Sequence, residues 1–460
     1  MRKTENRTDV IIIGSGMAGM AAAQEAAHSG AHVTVLEKMD YTGGNSALAG
    51  GGYACWTSSL RLRERLGLGE DSAEAHARDT LASGGGEGRP ELVRTLCENA
   101  PAGLEWLVQN GVEFKEVLVQ LGGHSAPRSY QAKTSGKRIM ELLRRRAEEL
   151  GAETVTSCRV TGLLAENGRV CGVKYERNGE IGTLYASRGV IVASGGFSAD
   201  VGLRTKYCPG LTAECGCSNH RGATGEVLTA AHAVGAALTG MEHIQLYPCA
   251  NPATGSVDRW AFYCYSAAGL GAVYTDGAGR RFVNESLGRD EVSAAQLRGC
   301  ERPTWTVFGA ETAEALGMTE REISTGLRLG RMRQGESAAE LAATMGADEK
   351  TLAGTLDGVN DAISRAERDC MGREYQPSFR KIAQSPFYAI AQWPSVHYTM
   401  GGLAIDVNAR VLDETGAPLP GLLAAGEVCG GIHGKNRLGG NALAECVVFG
   451  RIAGKNAAGE

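Results

Sequence analysis

Gly14-Ser15-Gly16-Met17-Ala18-Gly19 spells GxGxxG, and a lone acid, Glu37, follows it. That combination binds a dinucleotide: Gly14 permits a tight turn, Gly16 lets a pyrophosphate approach the backbone, and Gly19 lets the next helix pack closely on a sheet. The helix N-terminus then meets the phosphates with its dipole and free N–H groups. Glu37 is placed to accept hydrogen bonds from ribose hydroxyls. A second glycine-rich stretch comes directly afterwards, KMDYTGGNSALAGGGYA, with Gly43-Gly44-Asn45-Ser46 and Gly50-Gly51-Gly52. A nicotinamide has no evident need of it. A flavin has, because its pyrophosphate and isoalloxazine lie extended across the domain. Near the C-terminus, LLAAGEVCGGIHGKNRLGGNALAECVVFGRIAG offers a strand into Ala425-Gly426-Glu427 and a Gly439-Gly440-Asn441 turn that opens a helix. Both can meet a ribityl chain and flavin ring, so the cofactor is assigned as FAD.

These residues need particular elements behind them. Val10–Ile13 reads as a short buried strand, Met17–His28 as an alanine-rich helix stopped by Gly30, and His32–Leu36 as a second strand. GVIVASGGF, ending in Gly195-Gly196, supplies a third strand of the same sheet. The glycine motif alone is weak; in this βαβ context with its terminal acid it is strong.

The 460 residues allow about two or three domains. A net charge of −5 gives no electrostatic footprint for nucleic acid. Hydrophobic residues at 43% exclude disorder, and 65 glycines without a repeat exclude collagen. The 13 cysteines include no CxxC, and Cys215 and Cys217 have only His220 near, so no metal site is expected. Scattered thiols suit a reducing cytosol. Arg2 and Lys3 before an apolar stretch mimic the start of a signal peptide, but Gly14, Gly16 and Gly19 interrupt it. No run reaches the roughly 20 apolar residues of a membrane span. A cytoplasmic protein is expected.

GSGMAG, TGGNSALAGGG, ASGGF, NHRGATGE, RRFVNESLGRD, PFYAI, VHYTMGGLAID and AAGEVCGGIHGKNRLGGNALAE occur in order from Asp9 to Gly454. Together they resemble the flavoproteins of fumarate reductases and succinate dehydrogenases, specifically the soluble flavocytochrome c branch without its haem domain. The resemblance implies an α/β fold, in which a Rossmann-like FAD-binding domain (1–241 and 399–460) is interrupted by a smaller α+β capping domain (242–398). The active site of the family lies between the two. Ser337–Glu367 reads as two polar helices around Ala347-Asp348, suited to a solvent-facing cap. No histidine stands near Asn45 and Ser46 to carry a covalent flavin, so non-covalent FAD is implied. The family pattern puts Gly14, Gly16, Ala18, Gly19, Glu37, Asn45, Ser46, Gly50, Gly51, Val160, Gly225, Glu226, Tyr398, Glu427, Ala442 and Leu443 at the cofactor.

A double-bond reductase passes hydride from a flavin to one carbon and a proton to its neighbour, while cationic groups take up the enolate-like charge. Arg289 matches the family's proton-donating arginine; with a pKa above about 12 it needs rapid reprotonation through a relay. Arg437 matches the arginine that grips a substrate carboxylate, a task suited to a bidentate guanidinium. His397 matches a histidine at the same end. Two departures bear on the substrate. Where the fumarate enzymes have HPT, this chain has IQLYPC, with Tyr247 and Cys249; where they have HHTMGG, it has HYTMGG, with Tyr398. The family's Glu and Arg relay is not recognisable in AFYCYSAAGLGAV. A dicarboxylate loses half its recognition, and the tyrosine is similar to urocanate reductases. An α,β-unsaturated monocarboxylate such as urocanate or an aryl acrylate is expected, rather than fumarate. Two alternatives remain: a ketosteroid dehydrogenase-like enzyme using Tyr247 and Tyr398 on a cyclic enone, and a non-enzymatic electron-transfer or regulatory flavoprotein. The electron partner is expected to be a separate protein, a quinone or a reduced flavin.

Overall fold

The computed structural model describes residues 6–459, so Arg2 and Lys3 lie outside the described residues. The chain divides into two units, Met1–Thr212 with Asn219–Gln245 and Tyr398–Glu460, and Ala213–Ser218 with Leu246–His397. The expected borders were 241/242 and 398/399; the division falls at 245/246 and 397/398, and residues 213–218 join the second unit.

The first unit is built on an eight-stranded sheet. Its order from one edge is Arg410–Leu412, Pro418–Ala424, Glu180–Val192, Arg7–Ile13, Val33–Leu36 and Glu153–Val155; Cys158–Glu166 and Arg169–Arg177 extend Glu180–Val192 as a hairpin. The five strands from Pro418–Ala424 to Glu153–Val155 run parallel, with Val10 opposite Val33 and Ile11 opposite Val190. Parallel strands are covered on both faces and therefore read as unbroken apolar runs; Val10, Ile11 and Ile12 are fully buried. The helix Met17–His28 follows the first strand as expected and packs against the long helix Asn441–Gly459. Its alanines at 18, 21, 22, 23 and 26 are buried, which permits close contact at little side-chain entropy cost.

The second unit has a six-stranded sheet centred on Phe387–Thr399. Thr304–Phe308 and Met332–Gly335 pair with that strand antiparallel, Gly216–Cys217 pairs parallel, and Ile244–Ala250 also pairs with it; Val273–Thr275 lies outside Thr304–Phe308. The two helices expected around Ala347-Asp348 are Ala338–Met345 and Glu349–Arg365, and Asp348 caps the second by accepting from Thr351 N at 2.8 Å. Most of their residues are exposed or half-buried, and one apolar face of each is turned inward. Leu341, Leu352, Leu356 and Val359 form a core with Val273 and Trp305.

All 13 cysteines are thiols. Among the described residues no grouping of three His, Cys, Asp or Glu is arranged to hold a metal ion, and no helix is long and apolar enough to cross a membrane.

Candidate active site

The first unit contains a cavity that surrounds the GxGxxG turn and extends along the ends of the neighbouring strands. The turn is sterically committed to glycine: a Cβ at Gly19 would run into the Gly14 carbonyl. The N-cap of the helix behind it is Gly16, which has no side chain to cap it, and the first turn holds no acid, so its positive end suits an anion. Ser46 Oγ accepts from Met17 N at 3.0 Å. Glu37 holds the turn from the other side, its Oε2 accepting from Ser15 Oγ at 2.6 Å and Ser15 N at 3.1 Å, and its Oε1 from Met39 N at 2.9 Å. The buried Ser194 Oγ, on the cavity wall, has no hydrogen-bond partner within the protein. An anion-seeking helix end, a ribose-height carboxylate and an orphaned hydroxyl on one extended cavity fit an FAD.

Of the residues expected at the cofactor, Gly14, Gly16, Ala18, Glu37, Asn45, Ser46, Val160, Gly225, Glu226 and Glu427 line this cavity. Gly19 sits beneath the turn. Gly50 and Gly51 lie off the lining; Gly51 O accepts from Ala132 N at 3.1 Å, beside the small sheet formed by Gly52–Ala54 and Ser129–Ala132. Ala442 and Leu443 open the helix Asn441–Gly459, and Tyr398 stands in a separate cluster described below. Lys38 and His220 line the cavity without having been singled out. Lys38 directly follows the ribose acid and reaches Thr224 Oγ1 at 2.6 Å; His220 belongs to NHRGATGE and meets Tyr41 at 2.7 Å. Asn45 ties two parts of the wall together, accepting from His220 N at 2.6 Å and donating to Glu427 Oε2 at 3.3 Å. Burial raises the Glu427 carboxyl to about 7, against the pull of Thr399 N, Asn45 and the Arg437 charge.

Arg437 anchors a second cluster in the same unit. It is buried, donating to Gln245 Oε1 at 3.0 Å and to the Leu438 carbonyl at 2.9 Å. Its guanidinium lies 4.5 Å from the centre of the Tyr398 ring, a cation–π distance. Tyr398 donates to Glu445 Oε2 at 2.5 Å, and His433 Nε2 meets the same oxygen at 2.8 Å. Burial, then the Glu445 and Glu427 charges, raise the Tyr398 phenol well above its usual 10, so it is protonated at neutral pH.

The second unit holds Arg289, Tyr247 and His397. Arg289 is the first residue of the helix Arg289–Gly299 and lies between two phenol rings, 5.0 Å from Tyr247 and 4.7 Å from Tyr265. Burial by itself opposes the guanidinium charge, but Tyr265 and Tyr247 outweigh it, and Arg289 remains a cation. The Tyr247 ring also faces His397 at 5.2 Å, while Ser218 Oγ meets His397 Nδ1 at 2.8 Å. Burial, then Cys249, raise the Tyr247 phenol well above 10. Cys249 itself is buried and meets Tyr274 Oη at 3.5 Å. Tyr265 and Gln245 were missed individually, although both stand in segments marked as departures, AFYCYSAAGLGAV and IQLYPC.

Residues 9–443 match the family described as FAD binding domain. The chain is 35% identical to the acrylate reductase flavoprotein subunit of Shewanella woodyi, over 98% of this chain and 92% of that one. It is also 35% identical to the urocanate reductase of Eggerthella lenta, over 98% of this chain and 74% of that one. The open conformation of a flavocytochrome c3 fumarate reductase superposes with a TM-score of 0.83 at 31% identity, over 99% of this chain and 78% of that one.

Proposed function

The chain belongs to the FAD-binding flavoprotein family that includes these acrylate, urocanate and fumarate reductases, and it is an FAD-dependent oxidoreductase acting on CH–CH groups; on that premise we propose that its substrate is an α,β-unsaturated monocarboxylate. FAD would be held non-covalently by the wall around the glycine turn, Gly14, Gly16, Glu37 and Ser46 among it, and would supply or accept the hydride. Arg437 binds the substrate carboxylate: its guanidinium is fixed by Gln245 and the Leu438 carbonyl and needs no reorganisation to receive an anion. His397, oriented by Ser218, supports the same end. Arg289 delivers the proton to the carbon beside the one that takes hydride, and its cationic charge stabilises the enolate-like charge formed there.

The observation that carries the monocarboxylate reading is the setting of Arg289. Tyr247 stands at the position where the family's fumarate enzymes carry a carboxylate-binding histidine, and Arg289 lies against Tyr247 and Tyr265. Phenol faces receive a vinyl, aryl or imidazole group well and a second carboxylate poorly. Electrons come from, or go to, a separate protein, a quinone or a reduced flavin.

Anaerobic reoxidation of the photoreduced holoenzyme tests the reading. Acrylate, urocanate, cinnamate, fumarate and a Δ4-3-ketosteroid are added separately while the flavin absorbance is followed. A monocarboxylate is expected to reoxidise the flavin at least tenfold faster than fumarate, one missing ion-pair contact being worth about 1.4 kcal/mol or more. In Arg289→Ala the reaction should be lost with FAD still bound, and Tyr247→His should improve fumarate use. Reoxidation by fumarate as the best acceptor, or by the steroid alone, would overturn the assignment.

A further inference from the structure

The Arg437 cluster contains two buried ionisable groups that the proposed reaction does not use, Glu445 and His433. Neither is part of the cavity wall around the glycine turn. Glu445 lies on the helix Asn441–Gly459, fully buried, and its Oε2 receives both the Tyr398 hydroxyl at 2.5 Å and His433 Nε2 at 2.8 Å. Its Oε1 and the His433 Nδ1 have no hydrogen-bond partner. Leaving a carboxylate half-satisfied in the interior is costly, and the fold recovers little from it through packing alone. What this carboxylate holds is the Tyr398 phenol, together with the His433 ring beside it. The Tyr398 ring is held at its hydroxyl by Glu445, flanked edge-on by His433 at 5.7 Å, and covered on its face by the Arg437 guanidinium at 4.5 Å.

We propose that Glu445 is a positioning residue for the carboxylate clamp: by holding the Tyr398 hydroxyl it fixes the ring on which Arg437 rests, and so sets the direction in which Arg437 meets its anion. This rests on the assignment of Arg437 as the carboxylate-binding group. A guanidinium has several stem torsions, and a bidentate grip requires its plane to be fixed. Gln245 and the Leu438 carbonyl hold the edge of that plane, and Tyr398 holds its face. With the phenol released, the ring turns about its own torsions and the face support is lost. His433 shares the same oxygen and braces the carboxylate.

Two measurements on FAD-loaded protein separate this role from the substrate assignment. The first needs no substrate: the ring-current-shifted Nε–H resonance of Arg437, assigned by its loss in Arg437→Lys, is followed in Glu445→Ala, Glu445→Gln and Tyr398→Phe. The second is the Kd of the oxidised enzyme for cinnamate and acrylate, read from the perturbation of the flavin absorbance. In Glu445→Ala the resonance should move toward the value of a solvated arginine and the Kd rise about tenfold, the expected loss for one charge-assisted contact. Glu445→Gln, which keeps the shape should the alanine variant fail to fold, should give a smaller change of the same sign. Tyr398→Phe combined with Glu445→Gln should be no worse than the more damaging single change, because both act through one hydrogen bond. An unmoved resonance, or effects that add, would overturn the positioning role. A resonance that moves in a protein whose wild type binds neither carboxylate would support the positioning role and overturn the carboxylate reading instead.

Discussion

Glu427 carries a charge that the fold resists. Its carboxyl is buried and accepts from Thr399 N at 3.1 Å and Asn45 at 3.3 Å, yet burial outweighs these and raises it to about 7. An acid raised in the native state keeps its proton there while the unfolded chain has already lost it at about 4.5. Between those values the native state binds more protons, so the stability of the apoprotein falls as pH rises from about 4.5 to about 7 and levels off above. The shift corresponds to about 3 kcal/mol. Glu427→Gln keeps an acceptor for Thr399 N and has nothing to titrate. The variant should therefore lose that fall, which urea denaturation of the apoprotein at pH 5 and pH 8 would measure directly. An unchanged difference between the two pH values would assign it to another group. Arg289 shows the opposite behaviour: burial opposes its charge as well, yet the neighbouring Tyr265 and Tyr247 keep it a cation.

Between the strand Arg7–Ile13 and the helix Met17–His28, three residues place a phosphate site, and Gly19 decides whether they can. An alanine there would drive its Cβ into the Gly14 carbonyl, pushing the helix off the turn it is meant to close. Overpacking of this kind costs about 1–3 kcal/mol. Gly19→Ala should weaken FAD binding by tenfold or more while the apoprotein still folds, as titration of flavin fluorescence would show. This much was legible, because local rules govern it: the alanine run and the flanking glycines give both ends of the helix to the residue. The first strand starts at Arg7 rather than Val10, since Arg7 and Thr8 pair with Tyr185 and Ala186 through backbone alone and leave no hydrophobic trace. Gly50 and Gly51 carry the same composition as the true cavity wall but stand beside an antiparallel strand. Composition does not say which side of a turn a glycine serves. The roles of Gln245, Tyr265 and Glu445 were hidden for another reason. Each acts on a residue far away in sequence, Gln245 on Arg437 and Glu445 on Tyr398, and side-chain partnerships at that separation leave no local pattern.

At the scale of the molecule, the apolar interior is not one core. The first unit encloses its own cluster around the parallel sheet, and the second encloses two smaller ones. Every residue of the wall around the glycine turn belongs to the first unit. FAD therefore acts on stability through that unit, and binding only to the folded state stabilises it by about 2.7 kcal/mol at a free concentration one hundred times Kd. For a unit of this size the midpoint of thermal unfolding should rise by about 4 °C. The five tryptophans provide the readout: Trp56 and Trp106 lie in the first unit, Trp260, Trp305 and Trp393 in the second. Replacing either set with phenylalanine leaves fluorescence that reports one unit. Adding FAD to apoprotein that retains only Trp56 and Trp106 should move the transition upward by that amount. A shift seen by the other three tryptophans but not by these two would place the cofactor outside the cavity that Gly14, Glu37 and Glu427 line. It would also break the link between the glycine turn and the redox chemistry, since the charge-bearing residues of the first unit would then serve no flavin.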